Sequence, residues 1–249
     1  MKYFGFYLRE YLFPIGCGGC GEALFQKEDA YYGLCAECRE FLSFALETGR
    51  RCEICGKHLI SEKDSCLSCR KADGSTIYNE QIVKLKALFP YTGKFKAVLG
   101  AFKFGKSIGV GNFLTVCLNQ VLEDFDRETI KNAKRQRAAC AWVPVPPRPG
   151  KVKKQGWDQI EFLAKSLGKT SSLPLRRCLK RLPSRSQKEL NRQERETNLK
   201  GHIICAKPPP GIAILFDDVI TTGATMNACA AALIKGGATK VYGICLFYN

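Results

Sequence analysis

The chain has 249 residues, of which 45% are hydrophobic and 25% are charged, and its formal net charge is +16. Length and composition are those of a soluble protein with one core of ordinary size and a small second module, which excludes wholesale disorder. Residues 1–13 are apolar but interrupted by Lys2, Arg9 and Glu10, so we expect neither a secretory signal nor insertion into a membrane.

Eight of the fourteen cysteines form four C-x-x-C pairs near the N-terminus. Two intervening residues let one tight turn present both sulfurs to a tetrahedral ion, and Gly21 and Gly56 follow their pairs where such a turn needs positive φ. We predict two structural zinc ions, with the first pair joined to the second and the third to the fourth; the interleaved pairing is the alternative that spacing leaves open. The eight ligands are Cys17, Cys20, Cys35, Cys38, Cys52, Cys55, Cys66 and Cys69.

Metal-binding cysteines are typical of a reducing compartment, so we expect a cytoplasmic protein with a cysteine-rich module over residues 1–75. The other six cysteines stand singly among apolar residues, and we expect them to pack in the core. They are Cys117, Cys140, Cys178, Cys205, Cys229 and Cys245.

Residues 78–249 alternate between strand and helix patterns, which predicts an α/β domain with a mostly parallel sheet. In such a sheet a ligand binds at the carboxyl ends of the strands. The expected strands are 83–89, 139–145, 175–179, 202–205, 212–216 and 240–247. The expected helices are 95–103, 113–122, 160–167 and 224–235.

The strand 212–216 leads into the most informative segment of the chain, the residues Asp217, Asp218, Val219 and Ile220 followed by Thr221-Thr222-Gly223-Ala224-Thr225. A Thr/Gly-rich turn that opens a helix offers unpaired amides, hydroxyls and a positive dipole end to a phosphate. The two carboxylates can accept hydrogen bonds from vicinal hydroxyls of a ribose. The alternative is an ordinary helix cap made by Asp and Thr.

This segment looks like the phosphoribosyl pyrophosphate (PRPP) motif of type I phosphoribosyltransferases, and the whole chain resembles the ComF family of competence proteins. Three further stretches support the narrower resemblance: Leu12-Phe13-Pro14 before Cys17, Val143-Pro144-Val145-Pro146 with the following Gly-Trp-Asp-Gln, and Arg185-Ser186-Gln187 followed by Arg192, Arg195 and Asn198. Tyr91 and Lys103 also match the family. Gln155 and Asp158 depart from it, since a basic residue and an Asn are usual there.

The resemblance implies a type I phosphoribosyltransferase fold with an N-terminal zinc ribbon and a role for each motif. Asp217 and Asp218 would hold the ribose hydroxyls, Thr221, Thr222, Gly223, Ala224 and Thr225 the 5′-phosphate, and Pro147 and Arg148 the pyrophosphate, with Mg²⁺ bridging oxygens of PRPP. Asp217, Asp218 and Arg148 would carry any catalysis. Arg185, Gln187, Arg192 and Arg195 would lie on a flexible loop over the ligand, or on a solvated helix.

Two classes of function follow from the resemblance. As a binding protein, the chain would support uptake of single-stranded DNA in natural competence, with a helicase-like ATPase as partner because no Walker-type glycine loop is present. Between Arg148 and Lys207 there are sixteen Lys or Arg residues but five Asp or Glu, which favours polyanions. Trp157 in its basic loop, or Phe162, Tyr31 or Tyr32, could stack on a base; core packing is the expectation for the last three. As an enzyme, the chain would be a phosphoribosyltransferase of nucleobase or nucleotide metabolism.

Overall fold

The computed structural model describes residues 15–67, 69–70, 81–125, 139–183 and 201–249. The strands of these ranges are β1 (Ile15–Gly16), β2 (Ala23–Leu24), β3 (Ile82–Pro90), β4 (Cys140–Pro144), β5 (Leu179–Arg181), β6 (Ile203–Cys205), β7 (Ile212–Ile220) and β8 (Lys240–Tyr248). The helices are α1 (Lys27–Tyr32), α2 (Ala36–Glu47), α3 (Gly93–Lys103), α4 (Ile108–Phe125), α5 (Lys151–Gln155), α6 (Gln159–Thr170) and α7 (Ala224–Lys235).

The centre of the fold is a four-stranded sheet in the order β3-β8-β7-β4, in which every neighbouring pair is parallel. Parallel strands need crossover connections, and helices α3, α4, α6 and α7 occupy those connections. The prediction of an α/β fold with a parallel sheet and flanking helices is therefore confirmed. Among the described residues, no helix is both long and apolar enough to cross a membrane.

Alternate residues of β7 face two separate cores, as the pleat of a strand requires. Ile214 and Phe216 pack with α3, α4 and α6 on one face of the sheet. Ala213 and Leu215 pack with α7 on the other face. Because both faces are covered, the strand is a continuous apolar run before its acidic residues.

The predicted strand 175–179 differs most from the structure. Within the predicted range, Leu175 makes a single parallel bridge to Trp142. Strand β5 begins only at Leu179, where the predicted strand ends, and it pairs antiparallel with β6. The flanking residues bond to the edge of the sheet, with Trp142 N donating to the Pro174 carbonyl at 2.9 Å. The pattern missed β5 because Lys180 and Arg181 are charged.

The second cysteine module, which contains Cys52, Cys55, Cys66 and Cys69, covers the edge strand β3. The amide of Ala87 donates to the Cys55 carbonyl at 3.1 Å, so a main-chain group of the edge strand is paired by the module. The guanidinium of Arg51 joins the two parts, since Nη1 donates to the carbonyls of Gly56 at 2.9 Å and Ala87 at 3.1 Å.

The first cysteine module, which contains Cys17, Cys20, Cys35 and Cys38, packs on helix α4. Gly33 and Gly109 approach so closely that a Cβ on Gly109 would lie 2.8 Å from the Cα of Gly33. The side-chain amide of Asn112 donates to the Tyr31 carbonyl at 3.1 Å. Each module therefore shares a hydrophobic core with one face of the central sheet.

Candidate functional site

The eight paired cysteines form two clusters in the sequential arrangement, Cys17, Cys20, Cys35 and Cys38 in one and Cys52, Cys55, Cys66 and Cys69 in the other. Within each cluster the sulfurs lie within 4.8 Å of one another. A Sγ to Sγ distance of 3.7 Å occurs twice in the first cluster and once in the second. Four thiolates at about 2.3 Å from a tetrahedral zinc ion are about 3.8 Å apart, so both clusters fit a closed structural zinc site. The predicted sequential pairing is confirmed.

The turns around these sulfurs supply the hydrogen bonds that a thiolate needs. The amides of Gly19 and Cys35 point at Cys17 Sγ at 3.4 and 3.3 Å. Burial opposes ionisation of Cys17, but the surrounding amides outweigh it and lower its pKa to about 6. Gly21 and Gly56 have φ of +85° and +70°, the left-handed conformation that the sequence predicts after each knuckle.

The six single cysteines are free thiols in the α/β part of the chain. Five are buried and Cys205 is partly buried. Burial raises the pKa of Cys117 to about 12 and that of Cys178 to about 11, which keeps both thiols protonated and unreactive. The expectation that these residues pack in the core therefore holds for the five buried ones.

A cavity of about 220 Å³ lies at the carboxyl end of β7. Its lining combines a guanidinium, a carboxyl group, hydroxyls and the first turn of α7, and comprises Arg148, Asp217, Val219, Ile220, Thr221, Thr222, Gly223, Ala224, Thr225 and Met226. The structure thus brings Arg148 to the predicted turn although about seventy residues separate them in sequence. Pro147 is exposed directly before Arg148.

The turn after β7 presents backbone donors to this cavity. Gly223 has φ +78° and ends the turn, and α7 begins at the next residue. The amides of Thr225 and Met226 lie in the first helical turn, where a helix provides no acceptor for them. Together with the dipole of α7 and the guanidinium of Arg148, these amides make the cavity suited to a small anion.

The acidic pair lies within β7, which continues to Ile220 beyond the predicted end at Phe216. The two carboxyl groups are adjacent and interact with each other, but their other partners differ. Asp217 lines the cavity. Asp218 does not line it, and its Oδ2 accepts hydrogen bonds from Lys103 Nζ at 3.0 Å and from Gln159 Nε2.

The two carboxyl groups have opposite pKa shifts. Burial, followed by the charge of Asp218, raises the pKa of Asp217 well above its ordinary value. Burial also opposes ionisation of Asp218, but the charge of Lys103 and the hydrogen bond from Gln159 outweigh it and lower its pKa. Asp217 therefore keeps its proton to higher pH than an ordinary carboxyl group, and Asp218 ionises at lower pH.

Behind Asp218 lies a polar network that sequence reasoning missed. Lys151 Nζ donates to Gln159 Oε1 and to Asp158 Oδ2, both at 2.8 Å. Asp158 also caps α6, because its Oδ1 accepts from the amide of Glu161 at 2.9 Å. The departure from the family pattern at Asp158 therefore has a structural use. The sequence contained one indication of this network. Gln159 stands four residues before Leu163, which places a polar residue on the buried face of α6.

Trp157 packs inside an aromatic cluster with Phe102 and Phe162, at centroid distances of 5.9 and 5.3 Å. It is partly buried there, which does not match the expectation of a base-stacking residue in an open loop. Tyr31 is 60% exposed on the first cysteine module, although it was expected in the core. The predicted loop residues Arg185, Gln187, Arg192 and Arg195 lie outside the described residues.

Comparison with known proteins agrees with this arrangement. The family model of the double zinc ribbon domain matches residues 8–70. Competence protein ComFC of Streptococcus pneumoniae is 29% identical over 211 residues, which are 84% of each chain. Competence protein F of Haemophilus influenzae and competence protein ComFC of Bacillus subtilis are each 25% identical, over 84% and 82% of this chain and 87% and 79% of their own lengths.

These comparisons support a ComF-family protein. The similarity to these relatives spans more than four fifths of the chain. The cavity at β7 and the two zinc sites are its candidate functional features.

Proposed function

We propose that the cavity binds PRPP or a related ribose phosphate together with Mg²⁺. The observation that carries this proposal is that Arg148, Asp217 and the first turn of α7 line one cavity. A ribose with anionic groups at both ends needs two anion sites and a polar group for its hydroxyls, and the lining contains groups of all three kinds.

The proposed contacts follow from the chemistry of each group. The hydroxyls and amides of Thr221 to Thr225 hold the 5′-phosphate, and Arg148, preceded by Pro147, faces the pyrophosphate. Asp217 accepts hydrogen bonds from ribose hydroxyls. Asp218 contributes through its position beside Asp217 and through its charge, which Lys103 maintains. Mg²⁺ would neutralise the diphosphate oxygens.

The test is Mg²⁺-dependent binding of PRPP by isothermal titration calorimetry. Asp217→Ala and the double variant Asp217→Ala/Asp218→Ala should lose binding, whereas Glu37→Ala on the exposed surface of α2 should retain it. Circular dichroism at the titration temperature confirms that each variant is folded. Unchanged affinity in folded Asp217→Ala protein would refute the ligand site.

We further propose that the protein supports uptake of single-stranded DNA in natural competence, as the names of its relatives suggest. The location would be cytoplasmic, because thiolate ligands require a reducing compartment, and a helicase-like ATPase would supply the energy. The module of residues 1–75 would be a structural support for the domain of residues 78–249.

Binding of single-stranded DNA to the basic segment 148–207 should weaken steeply with salt. An affinity for a short single strand that is independent of salt would contradict this role.

An active phosphoribosyltransferase is the second candidate function, favoured by the same cavity lining. In that case Arg148 and Mg²⁺ would stabilise the leaving pyrophosphate while positive charge develops on the ribose. Pyrophosphate release from PRPP, measured over a panel of nucleobases with and without oligonucleotide, distinguishes the two. Turnover that depends on the base supports the enzyme, and PRPP binding without turnover supports the binding protein.

A further inference from the structure

The ammonium group of Lys151 is bonded to buried groups of the protein. Its Nζ donates to Oδ2 of Asp158 and to Oε1 of Gln159, both at 2.8 Å, and both acceptor residues are buried. Lys153, two residues further along α5, is exposed. Fixing a long side chain in one geometry costs conformational entropy, and two charge-assisted or polar bonds offset that cost for Lys151.

Gln159 continues this contact to β7. A lysine ammonium group has donors alone and a carboxylate has acceptors alone, so an amide between them satisfies both in one orientation. Gln159 has that orientation, because Oε1 accepts from Lys151 while Nε2 donates to Oδ2 of Asp218. Gln159 and Asp218 are both buried, which strengthens bonds between polar groups relative to water.

Both ends of this chain of hydrogen bonds adjoin residues that line the cavity. At one end, the amide of Lys151 donates to the carbonyl of Arg148 at 3.1 Å. At the other end, the amide of Asp218 donates to Oδ1 of Asp217 at 2.8 Å. Arg148 and Asp217 line the cavity, whereas Lys151 and Gln159 do not. The side chains of Lys151 and Gln159 therefore connect two parts of the cavity wall that are distant in sequence.

We propose that Lys151 and Gln159 are positioning residues that hold the turn of Arg148 against the end of β7. This inference rests on the proposed function and adds to it two residues outside the cavity lining. A site that is held in its binding geometry loses less conformational entropy when the ligand arrives, so it binds more tightly than a mobile one. The effect should concern the diphosphate end, because Arg148 belongs to the connected turn, whereas residues 221–225 join β7 directly to α7.

The experiment is a double-mutant cycle in the full-length protein. Calorimetric titrations with magnesium pyrophosphate and with ribose 5-phosphate are run on wild type, Lys151→Met, Gln159→Met and the double variant. Lys153→Met is the matched control, because it removes the same charge from an exposed position of the same helix. Melting curves confirm that each variant is folded at the titration temperature.

Each single variant should raise the Kd for pyrophosphate by on the order of fivefold or more, since a bond that fixes the Arg148 turn is lost. The double variant should bind no more weakly than the weaker single variant, because either substitution breaks the same connection. The Kd for ribose 5-phosphate should change less than about twofold, since Lys103 still pairs with Asp218. Lys153→Met should leave both Kd values unchanged.

Unchanged pyrophosphate affinity in folded Lys151→Met and Gln159→Met proteins would overturn the inference and leave the proposed function standing. Losses that add up in the double variant would show that Lys151 acts on the ligand directly, and would also overturn it. Equal losses for both ligands would assign the two residues a general structural role, with the same consequence.

Shorter side chains serve if a methionine variant does not fold. Lys151→Gln or Gln159→Asn then takes its place, and the same selective, non-additive loss is expected because neither side chain spans the original distance. Failure of the wild type to bind either probe would refute the proposed function, and this inference with it.

Discussion

Lys103 Nζ lies 3.0 Å from Oδ2 of Asp218, and neither residue lines the cavity. This ion pair connects the end of α3 to β7 and favours the ionised form of Asp218. The raised pKa of Asp217 is in part its consequence, because the charge of Asp218 opposes ionisation of its neighbour. Lys103 therefore influences a cavity that it does not line.

Replacing Lys103 should destabilise the protein. Lys103→Gln leaves the buried carboxylate of Asp218 without its cation, and we expect the free energy of unfolding at neutral pH to fall by about 1–3 kcal/mol. Denaturant unfolding measures the loss. Lys165→Gln, at an exposed position of α6, is the control and should change stability by less than about 0.5 kcal/mol. Equal stability of the two variants would contradict a role for the ion pair.

Asp217→Asn should stabilise the ligand-free protein at neutral pH. A carboxyl group whose native pKa is raised contributes stability below its unfolded pKa and loses that contribution as pH rises through its native pKa. Asparagine does not ionise, so the gain should be largest at neutral to alkaline pH and should vanish below about pH 4. Thermal melts across this range test the sign, with Glu37→Gln as a surface control. A gain that grows toward acid would be inconsistent with burial of Asp217.

The two knuckle glycines should differ in their tolerance of alanine. Both have positive φ, which costs an L-residue about 1–2 kcal/mol. A Cβ on Gly21 would meet no atom within 4 Å, whereas one on Gly56 would lie 2.8 Å from the Cα of Lys86 in β3. We therefore expect Gly56→Ala to lower the melting temperature more than Gly21→Ala. The reverse order would show that the second module does not hold the sheet edge as described.

Zinc content should report the cysteine pairing. Metal analysis of the wild type should find two ions per chain, and a strong chelator should unfold both modules. Cys52→Ser/Cys66→Ser alters one cluster and should leave one ion bound. Cys20→Ser/Cys66→Ser alters both clusters and should leave none. Complete loss of zinc from the first double variant would support interleaved pairing and contradict the structure.

Much of the fold follows from local patterns. The unit of β7, turn and α7 could be predicted because an apolar run, a Thr/Gly turn and a helical pattern follow one another, and the predicted helix 224–235 has the observed bounds. The zinc clusters could be predicted because C-x-x-C spacing places two sulfurs on one turn. In both cases neighbouring residues in sequence carry the information.

Long-range compensation of charge could not be predicted in the same way. The strand was expected to end at Phe216, directly before the two carboxylates, yet it continues to Ile220, and Asp218 accepts hydrogen bonds from Lys103 and Gln159 on two different helices. These partners are distant in sequence and meet only in the folded chain.

The most direct test of the central claim is a crystal structure of the protein with PRPP and Mg²⁺. We expect the 5′-phosphate to lie against the first turn of α7, the ribose beside Asp217 and the pyrophosphate at Arg148. Density for the ligand at another surface, or a cavity that remains without ligand at saturating PRPP, would contradict it.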